Sequence, residues 1–518
     1  MKKWFRKMAV LLAAAMMLAA SPVIAMADTL SPVKTNNVGV QNYTRWAAPV
    51  RSYLADRGGG SLTRLEYTGT QLVAETYDAD RKLAQQKKIN MELPLFGGFY
   101  AGTDSYFVAF GQTNYEEENS REVIRVVRYS KDWERLGAAS LYGANTAVPF
   151  YAGSLRMVQS GDQLYVRTTH QMYAKDGGVG YQANMMFSVH IPDMQISDES
   201  TGVTNVGRGY VSHSFNQFLA VDEDDNLIAA DHGDAYPRSM VLLKYKEKAG
   251  MGSFSERGAD AVNVLKFGGT LGDSLTGASL GGIAAMNGAY LTAGNSVDQG
   301  EGYTGSGTRN IFVTSTPRES FSAADTQIHW ITNYGKGDGV SVSTPHLVKI
   351  DRDRALLLYT VDGSVQYGIL DGNGNLIGKI QTTDGKLSDC APVRSGNEVV
   401  WYYTDDSAPV FCAIDLDKAL AAASPKKNSG SSDHAKASVA GADGWRETED
   451  GSWYYVGSDG NTLTGWKWIA DKNGVQKCYY LDPDSKGIRG LMAVNRTIDG
   501  SRVNADGQWV VDGVVQTR

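Results

Sequence analysis

The sequence feature that most constrains the fold is a weak internal repeat between residues 61 and 404. In each copy, a strand that begins with small or polar residues leads to an Asp, Asn or Gly turn, a second strand and a polar loop. The copies are Gly97–Asn114, Ala152–His170, His213–His232, Ser279–Asn295, Pro345–Thr360 and Ala391–Thr404, with a poorer one at Ser61–Thr76. A repeat of roughly 40 to 65 residues, each forming an antiparallel meander, is the signature of a β-propeller.

The segments between these turns are short and rich in β-branched, aliphatic and aromatic residues, as in Tyr106–Phe110 and Glu398–Tyr403. Such residues favour strands. Helical periodicity is nearly absent, with one short candidate at Arg51–Asp56. Seven copies over this length predict an all-β fold, a six- to eight-bladed β-propeller followed by a flexible linker and a β-hairpin solenoid. Two stacked β-sandwiches and a β-helix are the alternatives, although a β-helix needs a much shorter repeat.

The first 27 residues have the layout of a secretory signal peptide. A positively charged stretch, residues 2–7, precedes the apolar run Met8–Ala20, and Ala25-Met26-Ala27 forms an A-x-A cleavage motif. The apolar run is shorter than a membrane-spanning helix requires, so an uncleaved anchor is the less favoured alternative. No later segment has 18 consecutive apolar residues. We therefore expect a secreted protein that carries no transmembrane anchor and lies at the cell surface or in the cell wall.

A change in composition divides the rest of the chain. Residues 420–443 contain no aromatic residue and are rich in Ser, Ala, Gly and Lys, without a stable apolar period. This composition is typical of a flexible linker. It predicts a propeller domain over residues 28–419, a linker over residues 420–443 and a separate C-terminal module over residues 444–518.

The charge and cysteine content exclude several functions. The formal net charge of −7 is spread along 518 residues without a basic block, so no nucleic-acid partner is expected. Three cysteines, Cys390, Cys412 and Cys478, are too few for a disulfide scaffold. Cys390 and Cys412 either pair with each other or pack, like Cys478, as small buried side chains. No Cys or His spacing matches a zinc site, so no metal is predicted, and the sequence identifies no cofactor.

Histidines cluster where a propeller would bring them to one opening of its central channel. In each blade, the start of the innermost strand and the end of the second strand lie at the same face. Four of the seven histidines occupy such positions: His170, His213, His232 and His346. Beside carboxylates and a guanidinium, imidazoles transfer protons, ligate metals or bind anions. The candidate catalytic residues are His170, His213, Asp231, His232 and Arg238.

This His-rich face predicts that the propeller binds an extracellular ligand, which would be a glycan, a peptide or a small molecule. Two alternatives stay open. In one, these polar residues only tie neighbouring blades together. In the other, the propeller is an enzyme, a hydrolase or a transferase. The pattern His213-x-x-Asn216 followed by Asp231-His232 resembles the bacterial arylsulfotransferase propellers over one blade. That resemblance implies sulfuryl transfer by a histidine, although Asp231 stands where that family would have an Arg.

The C-terminal 75 residues contain aromatic repeats punctuated by glycine. The first repeat begins at Trp445 and reads, in order, GW, WYY, DG and TGW, so that the next repeat begins at Trp466, 21 residues later. The second repeat is longer and contains Tyr479-Tyr480. This pattern resembles the choline-binding or cell-wall-binding repeats of Firmicute surface proteins. The resemblance implies stacked hairpins whose aromatic rings form cages for a quaternary ammonium or a sugar. The implied partner is a cell-wall polymer, either teichoic acid choline or another wall glycan. The implied ligand-binding residues are Trp445, Trp453, Tyr455, Trp466, Trp468, Tyr480 and Met492.

Overall fold

The computed structural model describes residues 30–39, 43, 45–174, 180–300, 302–423, 444–448, 452–457, 462–470, 475–483, 490–494, 496–498, 500–504, 506–511 and 514–518. The predicted signal peptide, residues 1–27, and residues 424–443 of the predicted linker lie outside this set. Between residues 52 and 415, the described chain folds into seven antiparallel sheets of three or more strands, in chain order. No helix in the described residues is long and apolar enough to cross a membrane.

Each of these sheets is a blade, and its strands run outward in chain order. Blades one and two comprise Ser52–Gly58, Ser61–Tyr67, Leu72–Tyr77 and Leu83–Ile89, and then Leu95–Ala101, Tyr106–Gly111, Glu122–Tyr129 and Arg135–Tyr142. Blades three and four comprise Arg156–Ser160, Gln163–Gln171, Gln182–His190 and Gln195–Ser200, and then Ser214–Val221, Asn226–Asp234, Arg238–Lys248 and Ala259–Lys266. Blades five and six comprise Ala278–Ala285, Ala289–Ser296, Asn310–Pro317 and Gln327–Trp330, and then His346–Lys349, Arg354–Val361, Ser364–Asp371 and Leu376–Thr383. Blade seven comprises Val393–Ser395, Glu398–Tyr403 and Val410–Asp415.

Short elements complete the blades. The strand Val148–Pro149 also pairs with the second strand of blade three. A 3-10 turn, Val206–Arg208, connects blades three and four, and the helix Phe254–Arg257 lies between the last two strands of blade four.

The apolar core of the propeller consists of seven main clusters, and each lies between two neighbouring blades. Leu65 of blade one and Phe96 of blade two belong to one such cluster. Leu54 of blade one and Val400 of blade seven belong to another, so the last sheet covers the first. The blades therefore form a closed ring, which confirms the predicted all-β propeller and gives it seven blades.

The junction between blades one and seven also contains a buried polar network. Arg64 is fully buried and pairs with Glu75 at 2.7 Å and with Glu66 at 3.1 Å. Tyr402 of blade seven donates a hydrogen bond of 2.6 Å to Glu66. Buried charges cost free energy unless they are paired and hydrogen-bonded, so these contacts fix how the two blades meet.

A residue ahead of the first blade completes this junction. The strand Thr35–Asn36 pairs with Asp405–Ser407 of blade seven, and the next residue, Asn37, is buried. The Asn37 amide donates to Ser52 Oγ at 3.0 Å, while its side-chain oxygen accepts a 2.7 Å bond from the Thr404 backbone N–H. One side chain thus ties blade one to blade seven.

Blade seven has three strands, and a helix packs where a fourth would lie. The helix Leu416–Ala423 buries Leu416, Ala419 and Ala423 in the cluster that also contains Trp401 of blade seven. It includes the first four residues of the predicted linker, so the ordered propeller extends to Ala423. The Ala-rich composition that predicted a linker here forms a helix instead, because alanine has the highest helix propensity.

The first blade corrects two expectations. Residues 52–58 form its innermost strand, so the helix proposed at Arg51–Asp56 is wrong. The consecutive residues Leu54 and Ala55 are both buried, which removes the alternation that identifies a strand. As a result, the poor repeat copy Ser61–Thr76 covers the second and third strands of this blade, rather than the first and second.

The three cysteines are free thiols. Cys390 is buried in the cluster between blades one and seven, whereas Cys412 packs against the cluster between blades six and seven. Cys478 is buried in the C-terminal module. No Cys390–Cys412 disulfide is formed, and the thiols act as small, largely apolar side chains.

The described part of the C-terminal module consists of hairpins. Gly444–Glu447 pairs with Trp453–Val456, and Gly465–Ala470 pairs with Gln476–Asp482. The strand Leu491–Met492 joins these two hairpins into one five-stranded sheet. A second sheet contains Thr497–Ile498, Ser501–Val503, Trp509–Val511 and Val514–Val515. The predicted succession of short hairpins is therefore present.

Replacing Asn37 by alanine tests the junction between blades one and seven. We expect Asn37→Ala to lower the free energy of unfolding by about 2 kcal/mol, because it leaves the buried Thr404 N–H without its acceptor and removes one of the two hydrogen bonds of Ser52 Oγ, which keeps its bond to Glu66. The neighbouring Asn36→Ala removes only an exposed hydrogen bond to Asp406 and should change the free energy by less than about 0.5 kcal/mol. Equilibrium chemical denaturation measures both values. Equal losses in the two variants would contradict the role assigned to Asn37.

Candidate functional site

The innermost strands of the blades enclose a cavity of about 910 Å³ on the propeller axis. Every blade contributes to its lining: Leu54, Phe99, Met157, Phe218, Leu280, Leu347 and Val393 come from blades one to seven in that order. This volume is in the range of pockets that enclose small-molecule ligands. Blades five and six approach so closely that Gly281 has to be glycine, since a Cβ would overlap the Pro345 carbonyl oxygen.

A segment that precedes the first blade forms part of the cavity wall. We call Tyr43 together with residues 45–51 the strap. The Tyr43 hydroxyl accepts a 2.7 Å hydrogen bond from the Leu280 N–H of blade five. At the other end of the strap, the Arg51 N–H donates to Asp389 Oδ2 at 2.9 Å, just before blade seven. The strap is therefore anchored to the propeller at both ends.

Aromatic side chains dominate the cavity wall that blades one and two provide. Tyr53 packs edge-on against Phe96 and Phe99, with ring centroids 6.1 and 5.5 Å away. Trp46 of the strap is 54% exposed, so its indole is accessible to a ligand. The aromatic lining residues are Tyr43, Trp46, Tyr53, Tyr67, Phe96, Phe99, Tyr100 and Phe218. Such a wall offers flat apolar faces with a few polar tips.

Several polar groups in the lining have unused hydrogen-bonding capacity. Tyr53 Oη, His346 Nε2 and Asp389 Oδ1 are buried atoms without a hydrogen-bond partner among the described residues. Burial raises the pKa of Asp389 to about 6 and lowers the pKa of His346 to about 4. At neutral pH the imidazole is therefore uncharged, whereas the carboxylate is charged at a cost in stability. The other charged lining residues are Arg45, Arg51 and Arg156.

Two of the predicted histidines are buried outside the cavity. His170 Nδ1 lies 2.7 Å from Thr146 Oγ1, and His232 Nε2 lies 2.7 Å from Thr276 Oγ1. Burial lowers the pKa of each imidazole to about 3, so both rings are neutral at physiological pH. Tyr43 of the strap lines the cavity next to His232, with its hydroxyl 3.2 Å from Nδ1.

His213 lies at the surface. Its Nδ1 is 2.9 Å from Asp234 Oδ1, and this hydrogen bond raises the pKa of the imidazole. The exposed ring of Tyr181 stacks beside it at a centroid distance of 6.4 Å. The backbone of His213 has a φ of 53°, in the left-handed region that few residues other than glycine adopt.

The other two candidates have structural partners. Asp231 pairs at 2.6 Å with Arg167 of blade three, and both side chains are fully buried. This contact ties two blades together, which is one of the alternatives that the sequence left open. Arg238 donates to the backbone carbonyl oxygens of Asp234 at 3.0 Å and Gly268 at 2.7 Å. It therefore holds the loops at the end of blade four.

The structure does not bring the five catalytic candidates to one cavity. Of the four clustered histidines, His346 lines the central cavity and the other three do not. His170 and His232 lie on second strands, which are one step away from the axis, so their side chains point between blades; His213 precedes the innermost strand of blade four and pairs with Asp234 at the surface. Nor do the described residues include a group of three or more His, Cys, Asp or Glu side chains that could hold a metal ion.

Sequence reasoning missed Tyr53, Arg156 and Asp389 for separate reasons. Tyr53 lies in a strand that was predicted as a helix, and the repeat copies of blades three and seven were started at Ala152 and Ala391, which places Arg156 inside its copy and Asp389 ahead of its copy. Arg156 is the first residue of the strand Arg156–Ser160. An isolated cationic residue on an innermost strand is the signal that could have identified it, since that strand borders the axis.

Aromatic rings meet between successive hairpins of the C-terminal module. Trp445 lies 5.3 Å from Tyr455 in its own hairpin and 4.9 Å from Tyr479 in the next one. Trp466 lies 5.2 Å from Tyr480 in the second hairpin. Four of the predicted ligand-binding residues thus form two separate aromatic pairs.

Trp509, which the sequence analysis did not select, contacts one further predicted residue, Trp468, together with Trp466. Its ring lies 6.3 Å from Trp466 and 6.2 Å from Trp468. It follows the Asp-Gly turn of the third repeat, whereas the pattern placed the expected aromatic at Val503. The guanidinium of Arg518 lies 5.0 Å from the centroid of Trp468, so this indole already contacts a cation of the chain.

Trp453 and Met492 are the remaining predicted residues, and neither belongs to the aromatic pairs described above. Trp453 is 38% exposed on the first hairpin. Met492 packs so closely against Gly507 that a Cβ at that glycine would overlap its sulfur. Met492 therefore contacts the third repeat, which is consistent with a wall between successive hairpins.

No protein-family model matches the chain, and no curated protein matches it. Among solved structures, a polysaccharide lyase, the PL25 ulvan lyase, has a TM-score of 0.43 and 9% identity over 75% of this chain and 96% of its own. A GH93 α-L-arabinofuranosidase of Fusarium graminearum has a TM-score of 0.38 and 7% identity over 76% of this chain and 99% of its own. A prolyl endopeptidase has a TM-score of 0.40 and 11% identity over 85% of this chain and 55% of its own. These TM-scores identify no activity or substrate for this chain.

The raised pKa of Asp389 predicts a pH-dependent loss of stability. The folded state holds this proton more tightly than the unfolded chain, so the carboxylate destabilises the fold above about pH 6, and the penalty disappears as the pH falls towards 4. Asp389→Asn keeps an oxygen for the Arg51 N–H and should raise the free energy of unfolding at pH 8 by up to about 3 kcal/mol. At pH 4 the two proteins should be equally stable.

Chemical denaturation at pH 8 and pH 4 measures this difference. The control is Asp405→Asn, at an exposed carboxylate that pairs with Lys386 at 2.6 Å. Asp405→Asn should change the free energy of unfolding by less than about 1 kcal/mol at both pH 8 and pH 4. A destabilised Asp389→Asn protein at pH 8 would show that the carboxylate contributes favourably to the fold.

Proposed function

We propose that the propeller binds a glycan in its central cavity and that the C-terminal hairpins hold the exported protein at a bacterial cell wall. The observation that carries the first part is the composition of the cavity lining. Eight aromatic side chains surround buried polar atoms that have no partner among the described residues. A sugar ring has apolar faces and a polar edge, so it matches a lining of this kind.

The energetics of the cavity support a ligand that carries hydroxyl groups. A buried polar atom without a hydrogen bond costs about 1 to 3 kcal/mol. Hydroxyl groups of a sugar would satisfy Tyr53 Oη and His346 Nε2 while its ring stacks on the aromatic wall. An apolar ligand would leave both atoms unsatisfied.

The second part of the proposal rests on the two ends of the chain. The first 27 residues have the layout of a secretory signal, and the hairpins of residues 444–518 have the pattern of wall-binding repeats. Arg518 already occupies the ring of Trp468, so a quaternary ammonium would bind beside the other aromatic rings of the module or displace this guanidinium. A wall polymer with choline or with exposed sugar faces is the proposed partner.

Exchanging Trp46 for alanine tests the cavity as the glycan site. Trp46→Ala should lower the affinity at least tenfold, about 1.4 kcal/mol, without lowering the thermal midpoint, because the indole is exposed. Trp330→Ala is the matched control, since Trp330 is 47% exposed on the outer strand of blade five. Isothermal titration calorimetry of the chain from Asp28 with a panel of bacterial and plant wall oligosaccharides measures the affinities.

Absence of binding to every oligosaccharide would refute the glycan proposal, as would an equal loss of affinity in the Trp330→Ala protein. The same samples should be analysed for shortened or modified oligosaccharides after incubation. Their appearance would make the propeller an enzyme rather than a binding domain.

Replacing Trp466 tests attachment to the cell wall. Trp466→Ala should reduce several-fold the fraction of protein that co-sediments with isolated Gram-positive cell walls, because the contacts with Tyr480 and Trp509 are lost. Trp330→Ala serves again as the control. Free choline should release the wild-type protein if choline is the ligand and should have no effect if another wall glycan is bound. Wild-type protein that stays in the supernatant would argue against wall attachment.

A further inference from the structure

Arg156 places an unpaired cation in the wall of the central cavity. It begins the innermost strand of blade three and lines the cavity. Its guanidinium lies 4.8 Å from the ring centroid of Phe218 and donates one hydrogen bond, of 3.1 Å, to the carbonyl oxygen of Leu155. Within the part of the chain that the structure describes, no carboxylate lies within the 4.0 Å limit of an ion pair with this group.

Two fully buried arginines of the propeller are neutralised by carboxylates, whereas Arg238 and Arg309 bond backbone or neutral side-chain oxygens instead. Arg64 pairs with Glu75 at 2.7 Å, and Arg167 pairs with Asp231 at 2.6 Å. By contrast, burial lowers the pKa of Arg156, so its surroundings oppose the charge. A guanidinium nevertheless keeps its proton at neutral pH. Asp389 interacts electrostatically with this guanidinium but forms no ion pair with it, so the cavity keeps a positive charge without a direct carboxylate partner.

The charge of the cavity is opposite to that of the whole chain. Its lining contains Arg45, Arg51 and Arg156 against a single carboxylate among the described lining residues, Asp389. The chain as a whole has a formal net charge of −7. A concave site lined mainly by one sign of charge concentrates ligands of the opposite sign. An anionic ligand is therefore favoured in the cavity even though the protein is acidic.

Two neutral groups beside Arg156 provide hydrogen bonds for hydroxyls. Tyr53 and His346 both interact electrostatically with the guanidinium. The Nε2 atom of His346 is buried and has no hydrogen-bond partner among the described residues. In the neutral ring that Nε2 is an acceptor. An anion paired with Arg156 would thus have a hydroxyl acceptor and a phenol close by.

Building on the proposed glycan function, we infer that the glycan contains an anionic sugar, whose carboxylate or sulfate group pairs with Arg156. Neighbouring hydroxyls of that sugar bond Tyr53 Oη and His346 Nε2. A guanidinium binds a planar or tetrahedral oxyanion through two parallel hydrogen bonds, which a neutral sugar does not offer. The aromatic wall of blades one and two then stacks against the sugar rings, beside the charge of blade three.

Matched pairs of oligosaccharides test this inference on the whole chain from Asp28. An array should contain uronate oligosaccharides beside their carboxyl-reduced forms, and sulfated oligosaccharides beside their desulfated forms, on several backbones. The charged member of at least one pair should bind at least tenfold more tightly than its neutral partner. The type of pair that shows the preference identifies the anion as a carboxylate or a sulfate.

Variants of Arg156 assign the preference to this residue. Arg156→Gln should reduce the affinity for the charged member to that of its neutral partner. It should not lower the thermal midpoint of the protein, because the cation that it removes has no ion-pair partner in the fold. Arg156→Lys should keep part of the preference, since it retains the charge but loses the paired hydrogen bonds. Arg354→Gln makes the same change in net charge at a partly exposed pair with Asp351 and should bind as the wild type does.

The outcomes separate this inference from the proposed function. Equal affinity for charged and neutral members would overturn the inference and leave glycan binding in place. A preference that survives Arg156→Gln would also overturn it. If no member of any pair binds, the proposed function fails, and the inference fails with it.

Discussion

Each sheet of the propeller has two largely apolar faces, and these stay out of water only because a neighbouring sheet covers each one. Between most blades the covering sheet follows directly in the chain. Between blades one and seven it has to come from the far end of the domain, as the Glu66–Tyr402 hydrogen bond shows. Burying one large apolar side chain contributes about 1.5 to 3 kcal/mol, so a whole interface outweighs any single polar contact. The polar contacts of Asn37 and Arg64 determine the register in which blades one and seven meet.

The cavity is a consequence of the same closure. Once seven sheets surround an axis, their innermost strands border a shared space, and residues that are far apart in the chain face one another there. Blades one and two supply aromatic rings such as Tyr53, blade three supplies Arg156, and blade six supplies His346. The strap then lines one side and adds Trp46. A ligand in this space would contact aromatic rings and a guanidinium that lie side by side.

The propeller could be predicted because short strands and polar turns are local signals that recur from blade to blade. The two ends of the ring were harder to predict for physical reasons. Because Leu54 and Ala55 are both buried, the first strand lacks the alternation of apolar and polar residues that identifies a strand. The helix Leu416–Ala423 has the Ala-rich composition that also occurs in linkers. The positions of the histidines along the strands were identified correctly, but their directions were not. The direction of His232 towards Thr276 results from packing between blades four and five, which no local pattern encodes.

The tie between Asn37 and Thr404 joins residues that are 367 positions apart. At a synthesis rate of about 5 to 20 residues per second, the ribosome delivers the second partner on the order of half a minute after the first. Throughout that interval, blade one has an apolar face with no sheet to cover it, and such surfaces associate readily with other chains. The time spent as an incomplete ring is therefore set by translation of the final blade. Blade one gains its second neighbour only when that last segment has emerged.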